Sequence, residues 1–288
     1  MNGPKGAAAE GTVLDAPPVG ELRLGIGLRN GRSVATRQYH QGALRIIRPH
    51  YLDESGQVSY VIVNPGGGYL GGDHYSIDVE VDDGASLLLT TQSATKVYRT
   101  PRAPVQQDTT ISLGPGAVLE YLPDQLIAYR ESTYRQRNTV HMHHDATLVM
   151  AEVVTPGWSP DGSAFRFDEV RLRTDVYVDG RLEVLDHVLI RPGETQVGDM
   201  TFLGRESHVA SLLVVDRRVT GDLVRRLGEI LKPLDPGGRM GISLLGCPGF
   251  SLRAQAGSTG ELNCIINTVV SALRQGWTGQ GPVNLRKG

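Results

Sequence analysis

The side chains in this sequence best suited to holding a metal ion fall into two groups. Asp73, His74, Asp78 and Glu80 crowd into NPGGGYLGGDHYSIDVEV, and a later segment of similar pattern adds Glu120 and Asp124. Carboxylates and imidazole are natural ligands for divalent first-row ions. Side chains alternate along a strand, so Asp78 and Glu80 share one face; carboxylates on strands are also common as plain solvated surface. The second group is HMHH, where His141 and His143 point the same way along a strand and could pinch one ion, with His144 beside them. Imidazole suits nickel, zinc and copper alike, so spacing selects no metal.

The usual catalytic patterns are absent. There is no GxSxG elbow, no GxxxxGK[ST] and no HExxH. GGGYLGG lacks the Lys-Ser/Thr pair that contacts phosphate and magnesium, and it runs into a strand, not a helix N-terminus. Its glycines are better suited to positive φ and close backbone approach. Two functional classes remain beside a metal-handling protein: a metal-dependent hydrolase using the Asp/His/Glu set as ligands and general base, and an interaction scaffold in which no residue touches a metal.

Those groups need a scaffold, and composition says what kind. Of 288 residues 36 are glycine, well above the typical level of about 7%, which favours many tight turns. The net charge of −2 gives no reason to expect nucleic acid or an anionic membrane as partner. Cys247 and Cys264 form neither a CxxC pair nor a disulfide framework, and no apolar run is long enough to span a bilayer. A cytoplasmic protein with reduced thiols is expected. Residues 1–20, rich in Gly, Ala and Pro, are expected to be a flexible leader, followed by a single β domain over 21–288.

Period-two alternation begins at ELRLGIGL, with Leu22, Leu24, Ile26 and Leu28 on one face, and Asn30-Gly31 is a hairpin signal. With SVATRQYHQGALRIIRP and GQVSYVIVN, the early chain reads as a β-meander. A weak internal repeat follows. YSIDVEVDDGASLLLT, DTTISLGPGAVLEYL and NTVHMHHDATLVMAE each show a strand, a tight turn, an alanine (Ala85, Ala117, Ala146) and a second apolar strand, a pattern that stacked units would produce. Aligning the units places Glu120 opposite Leu88. Asp179-Gly180 marks another hairpin. Helices are predicted near 220–231, with Thr220 or Asp222 as N-cap and Pro233 as terminator, and near 259–275, opened by Ser258 or Thr259. The fold class is therefore mainly β, a stack of about fifteen or more strands with two α-helices.

NPGGGYLGGDHYSIDVEV, then TTQSATKVYR, then GAVLEYLPDQLIAYR, in this order and spacing, closely resemble the UreD (UreH) family of urease accessory proteins, and weaker similarity continues to GSTGELNCIINTVVSALR. The resemblance implies a right-handed helical stack of β-strands and a maturation factor, not an enzyme. It implies that the protein binds urease apoprotein and recruits UreF, partly through the C-terminal helix, and through UreF the GTPase UreG. It also implies nickel delivery through an internal channel, with transient Ni2+ and no tightly bound cofactor. Asp73 and Glu120 sit inside the matching motifs; His74, Asp78, Glu80 and Asp124 lie beside them. This sequence departs from the family pattern in NPGGG for NPPGG, in His74 for Arg, in QLIAYR, and in the HMHH stretch.

Overall fold

The alternation at the start of the chain becomes a strand in which Leu22, Leu24 and Ile26 are fully buried, while Leu28, next to the turn, stays exposed. The computed structural model describes residues 18–194, 204, 206–235 and 237–283. Most of the expected leader lies outside the described residues; Val19 N–H already bonds to His74 O. In chain order the described strands are β1 (Gly20–Arg29), β2 (Arg32–Gly42), β3 (Arg45–Ile46), β4 (Val58–Val63), β5 (His74–Val81), β6 (Ser86–Thr91), β7 (Thr95–Val97), β8 (Val105–Leu113), β9 (Val118–Leu122), β10 (Leu126–Ala128), β11 (Thr133–Met142), β12 (Thr147–Val154), β13 (Glu169–Val178), β14 (Arg181–Ile190), β15 (His208–Val215), β16 (Met240–Leu244) and β17 (Gly249–Ala256). The helices are α1 (Gly221–Leu231) and α2 (Thr259–Thr278).

Two sheets face each other. The first runs β14-β13-β11-β8-β5-β1-β2, and the second runs β16-β17-β15-β12-β9-β6-β4-β3, with β7 and β10 appended. Within the first sheet, β1, β5, β8, β11 and β13 are all parallel, and hairpins fold β2 and β14 back antiparallel at the two edges. In the second, β4, β6, β9 and β12 are parallel, and β15, β17 and β16 continue antiparallel. Between the hairpins the chain passes from one sheet to the other, β5 to β6, β8 to β9, β11 to β12. These are the coils of a β-solenoid. The early segment is accordingly not a meander: β2 pairs with β1, but β3 and β4 belong to the opposite sheet.

The repeated alanines mark the corners. Ala85, Ala117 and Ala146 are fully buried, and their amides bond to the carbonyls of Asp82, Gly114 and His143. Val118 N–H bonds to Ala85 O and Thr147 N–H to Ala117 O, so each corner sits on the one before. In NPGGGYLGG the close-approach reading also holds: a Cβ on Gly68 would lie 2.5 Å from the Tyr98 ring.

One apolar core fills the space between the sheets. A second lies on the outer face of the second sheet, where Leu88, Val149, Leu212 and Leu252 pack under the helices. Thr220 and Ser258 cap α1 and α2 by accepting from Leu223 N–H and Glu261 N–H. Leu262, Ile265, Ile266, Val269 and Leu273 form the buried side of α2. No described helix is long and apolar enough to cross a membrane, and both cysteines are free.

Candidate functional site

The eight candidate ligands do not share a site. Asp78 and Glu80 project from the outer face of the first sheet into solvent. His74 begins the same strand and its Nε2 lies 2.8 Å from Asp108 Oδ2. Glu120 does pair with Leu88 in register, but it faces outward from the second sheet, beneath α2. There it is buried against Arg274, with Gln57 Nε2 at 3.4 Å. His141 is exposed and stacks on Tyr177, ring centroids 5.0 Å apart. It does not join His143. Among the described residues one converging trio has metal-ligating chemistry: His143, His144 and Asp179.

Asp73 and Asp124 are different, because they border the space between the sheets. Asp73 Oδ2 accepts from Leu70 N–H and from Tyr75 OH, both at 2.8 Å. Tyr75 stacks on Tyr69 at 3.8 Å, and Tyr69 OH donates to Gln107 at 3.0 Å. Farther in, Tyr134 OH donates to Gln136 at 2.9 Å, and Gln136 and Asn138 both donate to Glu152 Oε1, at 2.6 and 3.0 Å. Asn138 also donates to Thr174 Oγ1 at 2.9 Å. At the far end Asp186 accepts from Ser211 at 3.3 Å and is ion-paired with Arg253.

Strand register explains this order. In the first sheet Thr109, Asn138, Thr174 and Asp186 are successive lateral neighbours, and in the second sheet Glu152, Ser211 and Arg253 are. Four strands of the first sheet and three of the second therefore each contribute one polar side chain to a row, the first row ending where Ile77 of β5 lies beside Thr109, and the two rows face each other across the core. They form a polar seam through an otherwise apolar interior. A cavity of about 50 Å³ lies on it, lined by Tyr69, Gln107, Tyr121, Asp124, Tyr134 and Glu152 among others. A second of about 90 Å³ adjoins it, shares Ile62, Tyr69, Thr91 and Thr95, and reaches Asn64, Gly68, Gln92 and Lys96. Arg253, at the other end of the seam, lines an open groove of about 640 Å³ with His187 and Arg239.

Glu152 is the electrostatic centre of the seam. Burial, reinforced by the nearby Asp186 charge, pushes its carboxyl from the ordinary 4.5 up to about 7, against hydrogen bonds from Asn138 and Gln136 that pull it down. Its contacts are amides; the arginine that would fix its charge is engaged by Asp186. Asn138 Oδ1 is buried without a hydrogen-bond partner. An orphaned acceptor of that kind marks room for water or a cation. Burial also drives the Tyr69 and Tyr121 hydroxyls far above their ordinary range, so they line the seam as neutral dipoles.

Glu152, Asn138, Gln136, Gln107 and Asp186 were not singled out by sequence reasoning. The one signal was a lone acid within the apolar strand TLVMAEVV.

Such a molecule is a two-sheet β-solenoid with a polar seam in its core and two helices fastened across one outer face. The UreD urease accessory protein family matches residues 19–287. A urease accessory protein UreD of Paenarthrobacter aurescens is 52% identical over 287 residues, 98% of this chain and 97% of the relative. One from Arthrobacter sp. is 52% identical over 94% of both chains, and one from Corynebacterium glutamicum (strain R) is 48% identical over 96% of this chain and all of the relative. The chain belongs to the UreD family of urease accessory proteins.

Proposed function

We propose that this protein serves urease maturation by binding urease apoprotein, recruiting UreF and through it UreG, and passing nickel along the seam between its two sheets. The observation that supports the route is Glu152, a carboxyl poised near neutral pH among amide and hydroxyl groups. An entering divalent ion displaces the carboxyl proton, as metal binding generally does. Oxygen ligands hold such an ion less tightly than thiolates or a full imidazole set, which suits a group that must release its cargo. Asp73 and Asp124 border the same path toward the Asn64–Gly68 loop. The groove beside Arg253 is the other opening.

The test is co-expression of urease with the accessory proteins and Glu152→Gln. Urease is expected to carry several-fold less nickel and activity, while this chain still co-purifies with UreF. Fully nickel-loaded urease in that background would rule out the route. The UreF contact is best tested on the exposed side of α2, since deleting the helix would uncover the core beneath it. Asn263→Lys with Asn267→Lys is expected to abolish UreF co-purification without lowering thermal stability, and undiminished co-purification would place the UreF contact elsewhere.

A further inference from the structure

The geometry points to a second metal site on the corner of the solenoid, built from His143, His144 and Asp179 and selective for a borderline divalent ion of the nickel, zinc and copper class. The three side chains come from two successive coils. His143 and His144 occupy the corner that precedes Ala146, and Asp179 opens the hairpin between β13 and β14.

Backbone bonding fixes all three. His143 N–H bonds to Leu113 O, Ala146 N–H to His143 O, and Asp179 N–H to Met142 O. Asp179 holds a positive φ of 47° beside Gly180, the signature of a tight two-residue hairpin. One ligand-type atom from each side chain lies within 4.8 Å of the others. The two imidazole rings are 4.1 Å apart, centroid to centroid.

The hydrogen bonds orient the rings for coordination. His144 Nδ1 lies 2.8 Å from Asp179 Oδ2; in the tautomer that donates this proton, the Nε2 lone pair is free. A carboxylate behind a metal-bound histidine in this way sets the ring and raises its basicity. Asp145 N–H donates to His143 Nδ1 at 3.1 Å, which holds the ring in place until an ion taking that nitrogen replaces the hydrogen bond. Asp145 also accepts from Arg217 at 2.8 Å, which ties the corner to the strand end after β15. Two imidazoles on an exposed corner, one of them backed by Asp179, leave the remaining coordination positions to water, or to ligands from a partner that takes the ion. Imidazole nitrogen excludes magnesium and calcium, which want oxygen.

This site is separate from the seam. Five residue steps of extended chain, about 16 Å, separate Asn138 from His143. His141, the other histidine of the HMHH stretch, is turned away on Tyr177 and takes no part.

Titration of the untagged full chain with Ni2+, Zn2+ and Mg2+, followed by calorimetry, tests it. The wild type is expected to bind Ni2+ or Zn2+ and not Mg2+. His143→Ala with His144→Ala should bind one equivalent fewer with an unchanged melting temperature. Asp179→Asn should weaken that equivalent by about 10–100-fold, and His141→Ala should leave it intact. Unchanged stoichiometry and affinity in the double variant, or Mg2+ binding as tight as Ni2+, would overturn the assignment. Glu152→Gln keeps the corner equivalent, so failure of the corner site and failure of the interior route give different results.

Discussion

Glu120, buried, and Glu152, largely shielded between the sheets, are carboxyl groups on neighbouring parallel strands of one sheet, yet the protein treats them in opposite ways. Glu120 faces outward under α2 and is met by the guanidinium of Arg274, itself buried, with Gln57 and Asp53 completing the network. Glu152 faces inward and receives only amide donors. The difference shows what burial of an acid is for. A matched countercharge makes the carboxylate a fastener, here pinning the last turn of α2 to the solenoid, with Arg218 stacked on Trp277 at 4.3 Å beside it. Amide donors, with the nearest guanidinium held by Asp186, leave the proton free to come and go.

The largest consequence falls on the fastener. Arg274→Ala leaves Glu120 buried without a partner and should cost about 3–5 kcal/mol, read as a lowered denaturant midpoint. Replacing both, Glu120→Leu with Arg274→Met, should recover most of that loss; if it does not, the pair does more than neutralise itself. Next in size is the pH response of Glu152. Its folded pKa lies above its unfolded value, so the native state is fully favoured below about 4.5 and loses stability as pH rises toward 7, by on the order of 3 kcal/mol. Glu152→Gln should remove that decline and be the more stable protein at pH 8. Parallel pH profiles for wild type and variant would contradict the assignment. The smallest effect belongs to the outer-face acids: Asp78→Asn with Glu80→Gln should change stability by no more than about 0.5 kcal/mol and leave urease nickel content unaltered. A nickel deficit there would move the path from the seam to the surface.

Much of this architecture was readable in the sequence. The corner alanines, the hairpins at Asn30-Gly31 and Asp179-Gly180 and both helix caps depend on a few local residues, and each falls where its pattern put it. The site was less legible for two physical reasons. A strand covered on both faces, such as TLVMAEVV, has no polar–apolar alternation to show which way each residue points, so Glu152 carried no sign of facing inward. The partner of Glu120 lies 154 residues away on a helix, at a separation that local pattern does not reach. Proximity in the sequence therefore favoured Asp78 and Glu80, which look at solvent. It also paired His141 with His143, although the strand ends at Met142 and the chain turns the next two histidines toward the neighbouring coil.

The coil geometry also makes the seam a ruler. One inward polar group on each of β8, β11, β13 and β14 means that the groups in that row recur at the interstrand distance, about 4.8 Å. The length of the row is thus set by how many neighbouring strands carry a polar residue at that register, and it stops where Ile77 of β5 takes the position.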